Sequence, residues 1–287
     1  MLWRKLGMAG PGTRRCGDVV EATTRRRWLI VVVAGAAAAW RLPLPAAGAA
    51  DAAVARATGP AVAAGSWRHA VEVPGLGALN AGGNAGVFSV SCGKADNCAA
   101  GGRYTDSSGH GQAFVASERN GRWGKAIEVP GTRALNAGGN AEFDSVWCAS
   151  AGNCSAGGDY RDGSGHFQAF VASERNGRWG KAIEIPGSGA LNAGGGAFVN
   201  SVSCASAGNC SAGGQYTDGS GHIQALVADQ RNGRWGKAIK VPGSVALNAG
   251  GNAAVFSVSC GKAGNCAAGG DYRDGSGHFQ GFVVSRA

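Results

Sequence analysis

From Trp67 onward the chain is one 56-residue unit written four times, and that period constrains its fold more than any other feature. Trp67, Trp123, Trp179 and Trp235 keep the spacing. So do Cys92, Cys148, Cys204 and Cys260, their partners Cys98, Cys154, Cys210 and Cys266, and the histidines 110, 166, 222 and 278. No insertion or deletion separates the copies. A strict period of this length means one supersecondary unit whose apolar faces are covered by its neighbours.

The second copy shows what the unit is. Phe143 to Cys148 reads as a short strand, and a small-residue turn leads to a second strand, Cys154 to Tyr160, made mostly of Gly, Ala and Ser. After Asp162-Gly163-Ser164-Gly165 comes a third strand, Phe167 to Glu174, and Asn176-Gly177 then supplies the positive φ angles of a two-residue hairpin. A last strand, Trp179 to Pro186, completes the unit. Short strands about ten residues apart, with turn signals between them, predict all-β structure. No helical periodicity appears in the repeats.

The third strand is apolar on both faces, as in Ala169-Phe170-Val171-Ala172, so each sheet must be covered on both sides. Four sheets packed face to face about an axis meet this need, which is the arrangement of a four-bladed β-propeller. The repeated region opens on a lone fourth strand, 67–74, and its last copy stops after a third strand. Pairing the two predicts a ring closed by the N-terminal strand and removes an exposed edge. The same exchange between two chains predicts a strand-exchanged dimer, and the period does not separate monomer from dimer.

Residues 1–50 read as a secretory signal with a long n-region: Arg25-Arg26-Arg27, an apolar run from Trp28 to Trp40, then small residues. The run is shorter than the roughly 20 residues a membrane span needs, so no span is expected after signal removal. The Thr24–Leu29 stretch also fits a twin-arginine signal, though paired cysteines favour oxidation after export. Residues 51–66 read as a disordered lead-in, leaving 67–287 as the repeat domain. Most of the formal charge of +9 belongs to residues 1–66, which carry nine Lys/Arg against three Asp/Glu. The repeats lack a clustered basic face, which argues against a nucleic-acid partner.

Eight of the nine cysteines form C-x5-C pairs, while Cys16 lies in the signal. In an exported chain these predict four local disulfides, Cys92–Cys98, Cys148–Cys154, Cys204–Cys210 and Cys260–Cys266. Zinc sites use tighter spacing with two pairs together, and pairs on separate blades would not converge. The histidines sit at the exits of Asp-x-Ser-Gly-His turns and read as turn geometry. Neither a metal nor a cofactor is expected.

The string Ser-Val-Ser-Cys, a small polar loop, Cys-Ser-Ala-Gly-Gly, then Gln-Ala-Phe-Val and Gly-Arg-Trp resembles secreted actinobacterial tandem-repeat proteins across 67–287 in all four copies. The resemblance implies a propeller-like fold and a secreted or cell-surface location. It implies no defined activity.

Connection order places the Leu-Asn-Ala-Gly-Gly loops and the Asp-x-Ser-Gly-His turns on one end of every sheet. That end carries Asn80, Asn136, Asn192 and Asn248 with Asp106, Asp162, Asp218 and Asp274, near Tyr160 and its repeat counterparts. Amides, carboxylates and tyrosines suit a carbohydrate or protein ligand, and loops on a rigid scaffold are where binding usually resides. The second copy departs from its siblings at Glu142, Asp144 and Trp147. Two carboxylates there are the candidates for glycosidic chemistry, yet they lie two apart on one strand, as neighbours rather than groups flanking a bond. With no serine–histidine–acid set, the sequence points to a non-enzymatic scaffold that binds a surface polymer or protein through its loop face. Two alternatives stay open: a glycan-acting hydrolase or lyase centred on the second repeat, and a structural cell-envelope component.

Overall fold

The second strand of each unit is built of small residues because the neighbouring sheet lies against it. In the computed structural model, which describes residues 67–286, a Cβ added to Gly157 would fall 2.5 Å from Val199 and 2.7 Å from Val202. Gly213 meets Val255 and Val258 at the same two distances. The expectations of signal peptide and lead-in fall on residues 1–66, outside the described region. No helix among the described residues is long and apolar enough to cross a membrane.

The fold is all-β: four antiparallel sheets, one per repeat. Sheet 1 holds β1 (Ala85–Lys94), β2 (Asn97–Thr105), β3 (Gly111–Arg119), β4 (Arg122–Trp123) and β5 (Ile127–Glu128). Sheet 2 repeats this as β6 (Ala141–Ser150), β7 (Asn153–Arg161), β8 (Phe167–Arg175), β9 (Arg178–Trp179) and β10 (Ile183–Glu184). Sheet 3 comprises β11 (Phe198–Ser206), β12 (Asn209–Thr217), β13 (Ile223–Arg231), β14 (Arg234–Trp235) and β15 (Ile239–Lys240). Sheet 4 has β16 (Ala253–Lys262), β17 (Asn265–Arg273) and β18 (Phe279–Arg286). The first strands lie against one another in chain order, β1 on β6, β6 on β11 and β11 on β16.

Each joint between sheets repeats the same parts. Phe143 and Val146 of sheet 2 are buried with Ala99 and Val115 of sheet 1, and the next two joints are built from the corresponding residues. Serines at the edge satisfy backbone donors across the joint. Ser89 Oγ accepts from the Val146 amide at 2.9 Å and Ser91 Oγ from that of Cys148 at 3.0 Å. Ser201 and Ser203 serve Val258 and Cys260 in the same way. Pairing of buried backbone donors in this manner avoids a desolvation cost of about 1–3 kcal/mol each.

The hairpins follow the sequence reading. Asn176 and Gly177 take φ of 48° and 74°, the left-handed pair that an Asn-Gly turn supplies. All four expected disulfides are present, each joining the first strand to the second across its turn.

Three expectations are corrected. The fourth strand is not continuous but two two-residue pieces with coil between, so Val129 is buried while Ile127 stays exposed. Single-turn helices interrupt the loops before each first strand: α1 (Leu76–Leu79), α2 (Thr132–Leu135), α3 (Ser188–Leu191) and α4 (Ser244–Leu247). Each follows a glycine in the left-handed region, such as Gly131 at φ 86°. Residues 67–74 form no strand and pair with no sheet, and Trp67 is fully exposed. This segment is held on the first sheet rather than the last: Val73, Leu76 and Leu79 pack with Tyr104, Phe114 and Ala126, and the Ala126 amide donates to Pro74 O at 2.7 Å. The sheets form an unclosed array.

Replacing the buried Cys148 and Cys154 together by Ala should lower unfolding free energy by about 2 kcal/mol, the chain-entropy value for so short a loop. Urea unfolding without reductant checks this, and an unchanged midpoint would assign the sheet edge its stability from packing alone.

Candidate functional site

The loop end of the sheets is polar, but most of its polar atoms are engaged within the fold. Asn136 is buried; its Nδ2 donates to Gly111 O at 2.9 Å and to Gln112 Oε1 at 3.1 Å, and its Oδ1 accepts from the Asn140 amide. Asn192 and Asn248 make the same bracket to the preceding repeat. Asn80 Oδ1 accepts from the Thr105 amide. Asp162 Oδ1 accepts from the amides of Ser164 and His166, and Oδ2 from Gln168 Nε2 at 2.9 Å. Asp106, Asp218 and Asp274 do likewise in their turns. Slight burial works upward on Asp162, yet these hydrogen bonds outweigh it and hold the carboxyl below its ordinary value. Tyr160 is buried and donates to Glu184 Oε2 at 3.0 Å; burial first, then the Glu184 charge, push its hydroxyl upward.

The histidine rings serve the joints. His110 lies over Gly139 of the next repeat so closely that a Cβ there would come within 2.7 Å of the ring, and His166 and His222 cover Gly195 and Gly251. With φ of 72° at Gly139, glycine is required by conformation as well as by space.

The second sheet is different. Glu142 stands opposite Asp159 in the pairing of β6 with β7, and a bulge between Phe143 and Ser145 takes Asp144 out of the ladder. Carboxylate oxygens of Glu142, Asp144 and Asp159 all lie within 4.8 Å of one another. Arg103 reaches across from β2 and donates to Glu142 Oε2 at 3.3 Å. Glu142 and Asp144 are half-buried and Asp159 is buried. Among the described residues, neither aspartate's carboxyl group makes a hydrogen bond.

Three carboxyl groups so close cannot all ionise freely. Burial, then the Glu142 charge, pushes Asp144 up to about 7. Burial, then the charges of Asp144 and Glu142, pushes Asp159 up to about 8 despite Arg103. Two of the three are therefore proton carriers near neutrality. The same oxygens also suit a hard divalent cation, which takes oxygen ligands and would reverse these shifts.

Asp159 and Arg103 were not singled out from the sequence. They occupy one repeat position, which also holds Gln215 and Asp271, so its variability was the available signal. Trp147, noted beside the carboxylates in the sequence, instead donates from Nε1 to Cys204 O at 3.1 Å on the next sheet. A groove of about 710 Å³ lies elsewhere, between Trp123 and Trp179 beside Arg119 and Arg122, and no carboxylate lines it. The chemistry and this groove are thus separate, and the perturbed carboxylates carry more functional information than the volume.

No protein-family model and no curated protein matches the sequence. Among solved structures it is similar to the catalytic domain of the GH62 α-L-arabinofuranosidase of Coprinopsis cinerea, at 10% identity and a TM-score of 0.36, covering 71% of this chain and 72% of that one. It is also similar to an α-L-arabinofuranosidase of Podospora anserina in complex with cellotriose, at 9% identity and a TM-score of 0.33, with the same coverage. The expectation of a non-enzymatic scaffold is corrected here. The chain itself holds the converging set of carboxyl groups that the sequence reading found missing.

Because Asp144 and Asp159 titrate higher in the fold than the roughly 3.9 of a free aspartate, the folded state holds more protons than the unfolded one between about pH 4 and 8. Their stabilising contribution is complete below pH 4 and is lost as pH rises through 7 to 8. Asp159→Asn should remain folded and be more stable than the parent at pH 8 by on the order of 2 kcal/mol, with little difference at pH 4. Melting curves from pH 4 to 9 check the sign.

Proposed function

We propose that this chain is an exported glycan-acting hydrolase whose chemistry lies on Glu142, Asp144 and Asp159. The observation that carries the reading is the convergence of three carboxyl groups within 4.8 Å, two of them protonated near neutral pH. Glycosidic cleavage needs a carboxylic acid that still holds its proton at working pH and a second carboxylate that does not.

The roles follow from environment. Asp144 is half-buried and so reachable by substrate; its raised pKa suits protonation of the leaving oxygen. Glu142, held by the Arg103 guanidinium, is the carboxylate that attacks the anomeric carbon. Asp159 lies buried beside them, and its own raised pKa leaves Glu142 as the group that carries the site's negative charge. The glycosyl–Glu142 ester that forms is then cleaved by water, with Asp144 taking the water's proton and so returning to its starting state. A separation within 4.8 Å is close to the roughly 5–5.5 Å of retaining glycosidases and too short for the roughly 6.5–9.5 Å of inverting ones. The products should keep their anomeric configuration.

A finer architecture belongs to the same proposal. The sheets are read as blades of a propeller-type arc, supported by first strands that lie against their neighbours in order, which sets Glu142 and Asp144 on the strand nearest the axis. Export is supported by the four disulfides, which persist in oxidising compartments.

The test is release of reducing sugar from a panel of polysaccharides, with the anomeric configuration of the first products followed by NMR. Glu142→Gln and Asp144→Asn should each lower kcat about 10²–10⁴-fold without lowering the melting temperature. Undiminished turnover in both variants would overturn the reading.

A further inference from the structure

The three inner joints define, residue by residue, what a first sheet and a last sheet each offer to a neighbour. At the two ends of the array the same groups stand without their counterparts. On sheet 4, Ser257 and Ser259 occupy the positions from which Ser201 and Ser203 accept the Val258 and Cys260 amides, and among the described residues no donor reaches them. On sheet 1, the amides of Val90 and Cys92 occupy the donor positions, facing no serine. The two sets are complementary.

Packing shows the same deficit. Gly157 and Gly213 are each filled by two valines of the next sheet, whereas Gly269 meets only atoms of its own sheet. The valines that would fill it by repeat position are Val87 and Val90, and Val90 is 56% exposed where its counterpart Val146 is 3%. Val283 is 85% exposed where Val171 is fully buried.

The loop end adds two specific contacts. Gly139, Gly195 and Gly251 are each covered by a histidine of the preceding repeat, but nothing lies within 4 Å of the Cβ position of Gly83. His278, the histidine in register with it, is exposed. Asn136, Asn192 and Asn248 each donate from Nδ2 to the preceding repeat, but Asn80 makes only its Oδ1 bond among the described residues. Its counterpart acceptor is Phe279 O at the start of β18. Lastly, Val71 and Glu72 stand where Ile127 and Glu128 pair with Val115 and Phe114, and β18 offers Val283 and Phe282 at those register positions.

We propose that the last sheet of one copy of this chain receives the first sheet of a second copy, forming one more joint of the kind already present inside the chain. The occupant is a second copy because the same step, taken three times within one chain, leaves that chain's own end sheets apart and exposed. The joint is heterologous, so it either closes into a ring of copies or propagates as a chain. Residues 67–74, held on sheet 1 by Pro74 and Val73, are carried with it and supply an edge strand to β18, the outermost strand of sheet 4 among the described residues.

Heterologous pairing makes a strict test. Val90→Arg spoils only the first-sheet face and Val283→Arg only the last-sheet face, and both side chains are exposed in the single chain. Light scattering on the exported full chain should give a dimer or larger. Each variant alone should be monomeric, with at least a 100-fold weaker self-association. An equimolar mixture should regain a dimer, because one variant keeps an intact first sheet and the other an intact last sheet. A parent that is monomeric at tens of micromolar, or a mixture that stays monomeric while the parent associates, would overturn the proposal. Should either arginine variant prove unfolded by circular dichroism, Val87→Asp and Phe279→Asp on the same two faces, both exposed, replace them with the same expected outcomes.

Discussion

Every sheet in this protein depends on two adjacent glycines in its second strand. The first, as at Gly157, leaves the hollow that valines of the next sheet enter; the second, as at Gly158, lets the bulged first strand cross, with a Cβ there only 2.0 Å from Glu142 O. Removing side chains from the middle of a strand is ordinarily unfavourable, since glycine has conformational freedom to lose and nothing to pack. Here the cost is offset by close approach: Phe143, Val146, Val199 and Val202 are buried against strands that hardly project. The disulfides beside these glycines and the serines that cross each joint then fix the same edge.

That constraint also produces the site. Because the bulge sits opposite the glycine, one first-strand residue per repeat leaves the ladder: Phe88, Asp144, Asn200 and Phe256. Three of the four are apolar or neutral. Only in the second repeat does a carboxylate stand there, with Glu142 two residues before it and Asp159 across the pairing. A repeat protein acquires an asymmetric group of acids by changing a few positions that the packing does not use, which keeps the scaffold intact while raising proton affinities by burial and mutual repulsion.

Much of this was legible in the sequence because the signals repeat. The cysteine pairs and the small-residue strand occur four times and the Asn-Gly hairpin three times, and each pointed to the same structure. What was not legible depended on contacts between strands. Glu142 and Asp144 were noticed along one strand, but Asp159 joins them only through the register of β6 with β7. Asn136 and Asp162 looked like ligand-binding groups because their types suit that role, and only the hydrogen bonds show them bracing loops. The segment 67–74 matches a fourth strand in sequence, yet its apolar residues find the first sheet nearby before any distant edge.

Glycine at the first of these positions is required by the neighbouring sheet and not by the strand itself. Gly157→Ala and Gly269→Ala make the same change in equivalent strands, one with a neighbouring sheet in the chain and one without. Equilibrium unfolding in urea, at concentrations low enough to keep the chain monomeric, separates the two. Gly157→Ala should lose about 1–3 kcal/mol through overpacking against Val199 and Val202, while Gly269→Ala should change by under about 0.5 kcal/mol. Equal losses at both positions would contradict the claim and place the glycine requirement within the single sheet.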